Sequence, residues 1–358
     1  MRKTRSAAFV VVCVLAGLPG AWALTGECLG PPFNIRGVSD AWRTSLVVST
    51  DDGLFRRASR SGTWTPLENG LPTGCCGPLE TAAFDPSILF LGGSDGLSRS
   101  EDGGSHWEAV GAGLSEGSPQ TIESARGPSG EKLVYTTIRR CQPDSEGQPT
   151  CHTRLFSSVD QGGNWTEITG LLENGVVLAS VGSTVYAMAD QGLFRSLDEG
   201  QTWDLLAADI CRVNALAIDP RDPRLLFAAS GEGGPRFVCG DVLRSADGGM
   251  TWNPSGLGRD FRSVIVDPFR PGRVFASSID FGRLSYPPAG VVESVDGGVS
   301  WSDLSFYEFC DSPFIFHLAL GPRGFSLFAG TSAGVAEITL QPLTLGPPSA
   351  RPAIVRRH

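Results

Sequence analysis

From residue 33 onward, apolar residues come in short runs that recur in groups of four, each run bounded by Gly, Pro, Asp or Ser. One group reads Val-Asn-Ala-Leu-Ala-Ile-Asp-Pro over 213–220, Arg-Leu-Leu-Phe-Ala-Ala-Ser over 224–230, Val-Leu-Arg-Ser over 242–245, and Thr251-Trp252. Runs this short, rich in β-branched residues and separated by turn signals, predict strands rather than helices. The same order returns from Ser263 to Trp301 and from Glu80 to Trp107, and more loosely over 121–167 and 176–205. A first unit starts near Phe33 and ends at Trp64, and a last one starts near Phe314.

Each group closes on one octapeptide of the form Ser-x-Asp-x-Gly-x-Thr-Trp. Its copies hold Ser100, Asp102 and Trp107; Ser158, Asp160 and Trp165; Ser196, Asp198 and Trp203; Ser245, Asp247 and Trp252; Ser294, Asp296 and Trp301. A degraded copy, RASRSGTW, ends at Trp64 with Ser59 in the aspartate position, and the last unit has none. Asp and Ser fold back onto nearby amides, Gly permits positive φ, and the Trp is large enough to anchor one sheet on the next. This is turn chemistry and not a catalytic centre. The repeated tryptophans follow one another at 38 to 58 residues. That period with four strands per unit predicts an all-β fold, a single seven-bladed β-propeller of four-stranded antiparallel blades. The fourth strand of the last blade is expected either from residues 339–345 or from the N-terminal segment.

Composition narrows the setting. The 358 residues are 41 % hydrophobic and 19 % charged, enough for a core, with Gly 46 and Pro 25 supplying turns. A formal charge of −9 argues against nucleic acid as a partner. Residues 1–23 read as a signal peptide: Arg2, Lys3 and Arg5, an apolar stretch Ala7–Leu18 too short to span comfortably, then Ala21-Trp22-Ala23. The propeller is expected over 24–345 and a flexible tail over 346–358. No membrane span is expected after cleavage, and a secreted or periplasmic monomer follows. Cys13 leaves with the signal, and eight cysteines remain in an exported chain, which reads as disulfides. Cys141 and Cys151 flank one loop, and Cys211 and Cys239 lie on adjoining loops of one blade. Cys28, Cys75, Cys76 and Cys310 surround the join of first and last blades, with their pairing open. Without paired Cys-x-x-Cys spacing and with 4 His, neither a metal nor a cofactor is expected.

The octapeptides resemble the Asp-box (BNR) repeat of bacterial sialidases, sortilin-type receptor domains, certain xyloglucanases and photosystem II assembly factors. The pairing of AIDPRDPRLLFAAS with LRSADGGMTW is more similar to the latter three. The resemblance covers roughly 33–340 and implies the propeller fold, which hosts unrelated activities. A sialidase would need Arg-Ile-Pro near the first strand, where this chain has Phe33-Asn-Ile-Arg36. It would also need a Tyr–Glu pair, and the adjacent Tyr307 and Glu308 face opposite ways on a strand. The xyloglucanases resembled use two propellers around a cleft, and this chain has length for one.

Strand order assigns the two faces. The turns joining strands one and two carry Asp85-Pro86, Asp219-Pro220 and Asp267-Pro268, and lie on the same side as the octapeptides. The opposite face holds the insertions, Arg139 to Thr153, Gly231 to Asp241 and Ile279 to Gly290, with seven of the eight cysteines. Long loops on a rigid frame are where binding usually lives. The candidate binding residues are Phe281, Arg283, Tyr286, Tyr307 and Phe309, an aromatic and arginine mix typical of hot spots, with Arg262 and His317 on inner strands. Arg36, Glu80, Glu123 and Asn214 are further channel candidates. The expected function is a non-catalytic recognition or assembly scaffold for a protein or glycan ligand. The alternative is a glycoside hydrolase using carboxylates among Asp209, Asp260, Asp280, Glu308 and Asp311, which would have to converge at about 5–9.5 Å.

Overall fold

The computed structural model describes residues 26–29, 35–41, 45–57, 63–71, 75–114, 116–143, 147–170, 174–208, 210–231, 239–279, 290–304, 315–321, 324–331 and 334–340. Their regular elements are strands, in seven four-stranded antiparallel sheets. A short strand, Gly26–Leu29 (β1), precedes blade 1: Ile35–Ala41 (β2), Ser45–Thr50 (β3), Gly53–Arg57 (β4) and Trp64–Leu67 (β5). Blade 2 is Cys75–Thr81 (β6), Leu89–Gly93 (β7), Gly96–Ser100 (β8) and Glu108–Ala109 (β9). Blade 3 is Ser118–Arg126 (β10), Lys132–Pro143 (β11), Pro149–Ser158 (β12) and Thr166–Ile168 (β13). Blade 4 is Val176–Val181 (β14), Thr184–Ala189 (β15), Gly192–Ser196 (β16) and Asp204–Ala207 (β17). Blade 5 is Val213–Ile218 (β18), Leu226–Ser230 (β19), Val242–Ser245 (β20) and Asn253–Pro254 (β21). Blade 6 is Asp260–Val266 (β22), Val274–Ile279 (β23), Val291–Ser294 (β24) and Ser302–Asp303 (β25). Blade 7 is Ile315–Leu320 (β26), Ser326–Thr331 (β27) and Gly334–Thr339 (β28).

The open question of closure has a definite answer. β1 adds to β28 as the outermost strand of blade 7, with Gly26 opposite Ile338 and Leu29 opposite Val335. The N-terminal segment therefore supplies the fourth strand, and the first and last parts of the chain are laced into one sheet. Beside this seam lies a buried ion pair: Arg57 lies 3.8 Å from Glu337, both side chains under 10 % exposed, and Ser326 donates to Glu337 at 2.9 Å.

Apolar side chains meet between blades. Trp165 of blade 3 packs with Phe90 and Val110 of blade 2, Trp107 with Val47 and Leu54 of blade 1, and Trp203 with Tyr135 and Leu155 of blade 3. Trp252 and Trp301 repeat this on blades 4 and 5. Each tryptophan thus anchors its blade on the preceding one, as the repeat predicts.

The aspartate turn explains itself at Ser245. Its Oγ accepts from the Gly249 amide at 2.8 Å and donates to Asp247 Oδ1 at 2.8 Å. Asp247 accepts the Thr251 amide at 2.9 Å and the Thr251 hydroxyl at 2.6 Å, and Trp252 Nε1 donates to the Gly249 carbonyl at 2.9 Å. The same bonds form at Ser196 and Ser294, and at Ser100 with the His106 ring in the hydroxyl's place. A second role is absent from the repeat itself. The arginine preceding the turn serine reaches into the next blade's turn: Arg99 to the Gln161 carbonyl (2.9 Å), Arg195 to Gly248 (3.1 Å), Arg244 to Gly297 (2.7 Å), and Arg56 to Gly103. These turns clip neighbouring blades as well as closing hairpins.

Candidate binding face

All seven inner strands carry an irregularity at the same level, near the insertion-bearing end. Ladder register slips between Ile35 and Gly37, Cys75 and Leu79, Pro119 and Thr121, Val177 and Ala179, Val213 and Ala215, Phe261 and Ser263, and Ile315 and His317. A bulge leaves an extra residue unpaired in the ladder and re-aims its side chain. The extra residues include Arg36, Gln120, Asn214 and Arg262, so three of the sequence's channel candidates are bulge residues; the Arg36 side chain lies outside the described residues. Arg262 Nη1 donates to Asn214 Oδ1 at 3.3 Å, and Asn214 Nδ2 to the Phe261 carbonyl at 2.8 Å, joining blades 5 and 6. Burial lowers the Arg262 pKa, Asp260 works against that shift, and Arg212 adds to it. His317 lies just past the bulge of β26, opposite Gly330.

Farther toward the aspartate-turn face sit Glu80 and Glu123. Ser124 donates to Glu80 at 3.2 Å and accepts the Ala83 amide at 2.8 Å. Burial raises the Glu80 pKa, with the Ser124 bond a smaller opposing effect; Glu123 is raised by burial and then by the charge of Glu80. Burial of both groups, with the charge of one acting on the other, favours their protonated forms.

The insertion of blade 3 is a correction to a loop. Residues 139–153 are largely a paired arm, in which β11 and β12 run on together from Arg139 opposite Thr153 to Pro143 opposite Pro149. Cys141 and Cys151 face each other in this register and form a disulfide, Cα atoms 3.9 Å apart. At its base lies a cleft of about 540 Å³ between residues 116–118 and Gln120 on one side and 139–142 on the other. Arg140 lies 3.7 Å from Glu116 across it. The blade 5 insertion is stapled by Cys211–Cys239, Cα atoms 5.4 Å apart. Buried Asp241 ends that insertion and accepts amides from Val242, Gly256 and Leu257. Both expected disulfides therefore form, each contributing about 2–4 kcal/mol, and they are consistent with an extracytoplasmic location.

Phe281, Arg283, Tyr286, Tyr307, Phe309 and Cys310 lie outside the described residues, as do the side chains of Cys28, Cys75 and Cys76. So do Asp209, Asp280, Glu308 and Asp311, leaving Asp260 alone of the hydrolase candidates. The opposite face carries short turns and single exposed apolar residues, Val159, Leu197, Met250, Phe269, Val299 and Phe325, spread over five blades. Scattered singly, such residues are ordinary surface.

No family model matches the chain, and no curated protein matches it. Among solved structures it is similar to the GH74 xyloglucanase from Xanthomonas campestris, with 17 % identity and TM-score 0.67 over 90 % of this chain and 55 % of that one. It is similar to YCF48 bound to D1 peptide, at 14 % identity and TM-score 0.60, over 89 % and 97 % of the two chains. It is also similar to a chain of the mitotic checkpoint complex, at 13 % identity and TM-score 0.61, over 94 % and 99 %. The chain spans about half the length of the xyloglucanase. These neighbours are seven-bladed propellers, and both enzymes and propellers in complexes with proteins are among them.

Proposed function

We propose that this chain is an exported Asp-box propeller that acts as a recognition scaffold, binding a protein partner across its insertion-bearing face. One observation carries the reading. The aspartate-turn face is built from near-identical short turns, whereas the other face gathers the disulfide-tied arm, the stapled blade 5 insertion, the ring of bulges and the cleft. Rigid protruding elements with half-exposed Arg and Gln suit partner binding, because little side-chain and loop entropy is lost on docking. The structures of YCF48 with a peptide and of the checkpoint chain support a protein partner for a single propeller of this length.

The test compares the full chain with a variant whose arm is trimmed to a short turn between Ile138 and Arg154, by cross-linking in extracytoplasmic extract and mass spectrometry. The scaffold reading expects specific partners lost on trimming and retained when the opposite face is altered by Arg221→Ala, in the Asp219-Pro220 turn. Equal capture by trimmed and intact chains, or release of reducing sugar from xyloglucan, would overturn it.

A further inference from the structure

β11 outruns the strand it pairs with on its inner side. β10 begins at Ser118, opposite Arg139, while β11 continues to Pro143. Gly117 is the reason. Its φ is +147°, and a Cβ there would stand 2.6 Å from the Arg139 carbonyl, so β10 pairing ends beside a position that tolerates little but glycine. Beyond it, among the described residues, no strand pairs with the inner edge of 140–143.

The polarity of that edge follows from register. Cα atoms 3.9 Å apart mark Cys141 and Cys151 as a close pair that exchanges no backbone hydrogen bonds. The Cys141 amide and carbonyl therefore point away from β12, toward the cleft. The side chain of Arg140 alternates to the other face of the arm, where Glu116 already sets a carboxylate against it at 3.7 Å.

We infer that this open edge takes an extended, acidic segment of the partner protein as an added strand, with an Asp or Glu set against Arg140. The inference rests on the scaffold reading. Strand addition draws affinity from main-chain bonds and specificity from alternate side chains, and this edge supplies both. A second copy is a poorer occupant, because pairing two arms about Cys141 gathers Arg139 and Arg140 of both copies. The chain's own tail is poorer too: residues 346–358 carry Arg351, Arg356 and Arg357 and no acid.

Phage-displayed random nonapeptides are panned on the full chain, and the enriched peptides are remade with backbone N-methylation at odd or at even positions. Enriched peptides are expected to alternate β-branched and polar residues around an Asp or Glu, with N-methylation in one register weakening binding about 30-fold and in the other hardly at all. Arg140→Glu, at a half-exposed position and with an unchanged circular dichroism spectrum as its control, is expected to weaken the acidic peptide about tenfold and to admit its Lys-substituted form. Enrichment of no peptide, of peptides without acid, or equal effects of the two N-methylation registers would overturn the inference. So would a dimer in sedimentation that Arg140→Glu dissolves. Peptide binding lost in Arg262→Ala but kept in Arg140→Glu defeats the edge while leaving the scaffold reading standing, whereas polysaccharide hydrolysis without peptide binding defeats both.

Discussion

Gly298, fifth in its aspartate turn, shows how a single position ties local geometry to packing. Its φ is +82°, and an added Cβ would meet Phe227 of the preceding blade at 2.5 Å. Both penalties act at once, a left-handed backbone and an overfilled blade interface. Gly298→Ala is therefore expected to destabilise by about 2–4 kcal/mol in chemical denaturation. Gly111→Ala, where an added Cβ meets nothing within 4 Å, is expected to be near neutral. Equal effects would show that the turn's fifth position is not under this double constraint. The preceding position is more forgiving: Gln161 and Glu199 hold φ of 61° and 62° there without being glycine. The repeated Ser, Asp, Gly and Trp made these positions readable in the sequence. The arginines at 99, 195 and 244 adjoin the repeat in plain view, yet their reach to the next blade's carbonyl depends on blade spacing that only the folded ring defines.

The aspartate turn as an element carries a pH signature. Asp198 and Asp247 are held down to about 2, foremost by the hydroxyls of Thr202 and Thr251 and then by the amides of those residues. Asp160 also lies near about 2, foremost through the Asn164 amide. A carboxylate with a depressed folded pKa stabilises fully above its unfolded value of about 3.9 and loses that contribution as pH falls through its folded value. Melting temperature is accordingly expected to drop between pH 4 and pH 2, approximately. Asp247→Asn should lower the melting temperature at pH 5 and flatten part of that acid slope; an unchanged slope contradicts the account. The strands and turns were legible because they repeat. The blade 3 arm was not, since Arg139–Thr153 has few apolar residues and its pairing comes from a register that the ring starts and the disulfide holds. The bulges escaped as well, because one or two extra residues in an inner strand leave no mark in alternation this short.

At the scale of the whole ring, closure and channel charge make separate predictions. Arg57→Met should cost about 3 kcal/mol by leaving Glu337 buried without its cation, and Glu337→Leu added to it should recover much of the loss. A double mutant no better than the single would show that the seam does not rely on this pair. In the channel, Glu80 is raised to about 8 by burial, which Ser124 only partly offsets. A raised carboxylate gives its full stability below its unfolded value and withdraws it as pH climbs toward the folded one. Glu80→Gln should therefore raise the melting temperature at pH 8 and leave it nearly unchanged at pH 4. The net of both carboxylate classes is a stability maximum in mildly acidic solution. The measurement closest to the central claim is amide hydrogen exchange on the full chain with and without an enriched acidic peptide. Slowed exchange over 117–120 and 139–143, with the turns at 245–252 and 294–301 unchanged, is the expected result. Slowing confined to those turns would place recognition on the other face and contradict the account.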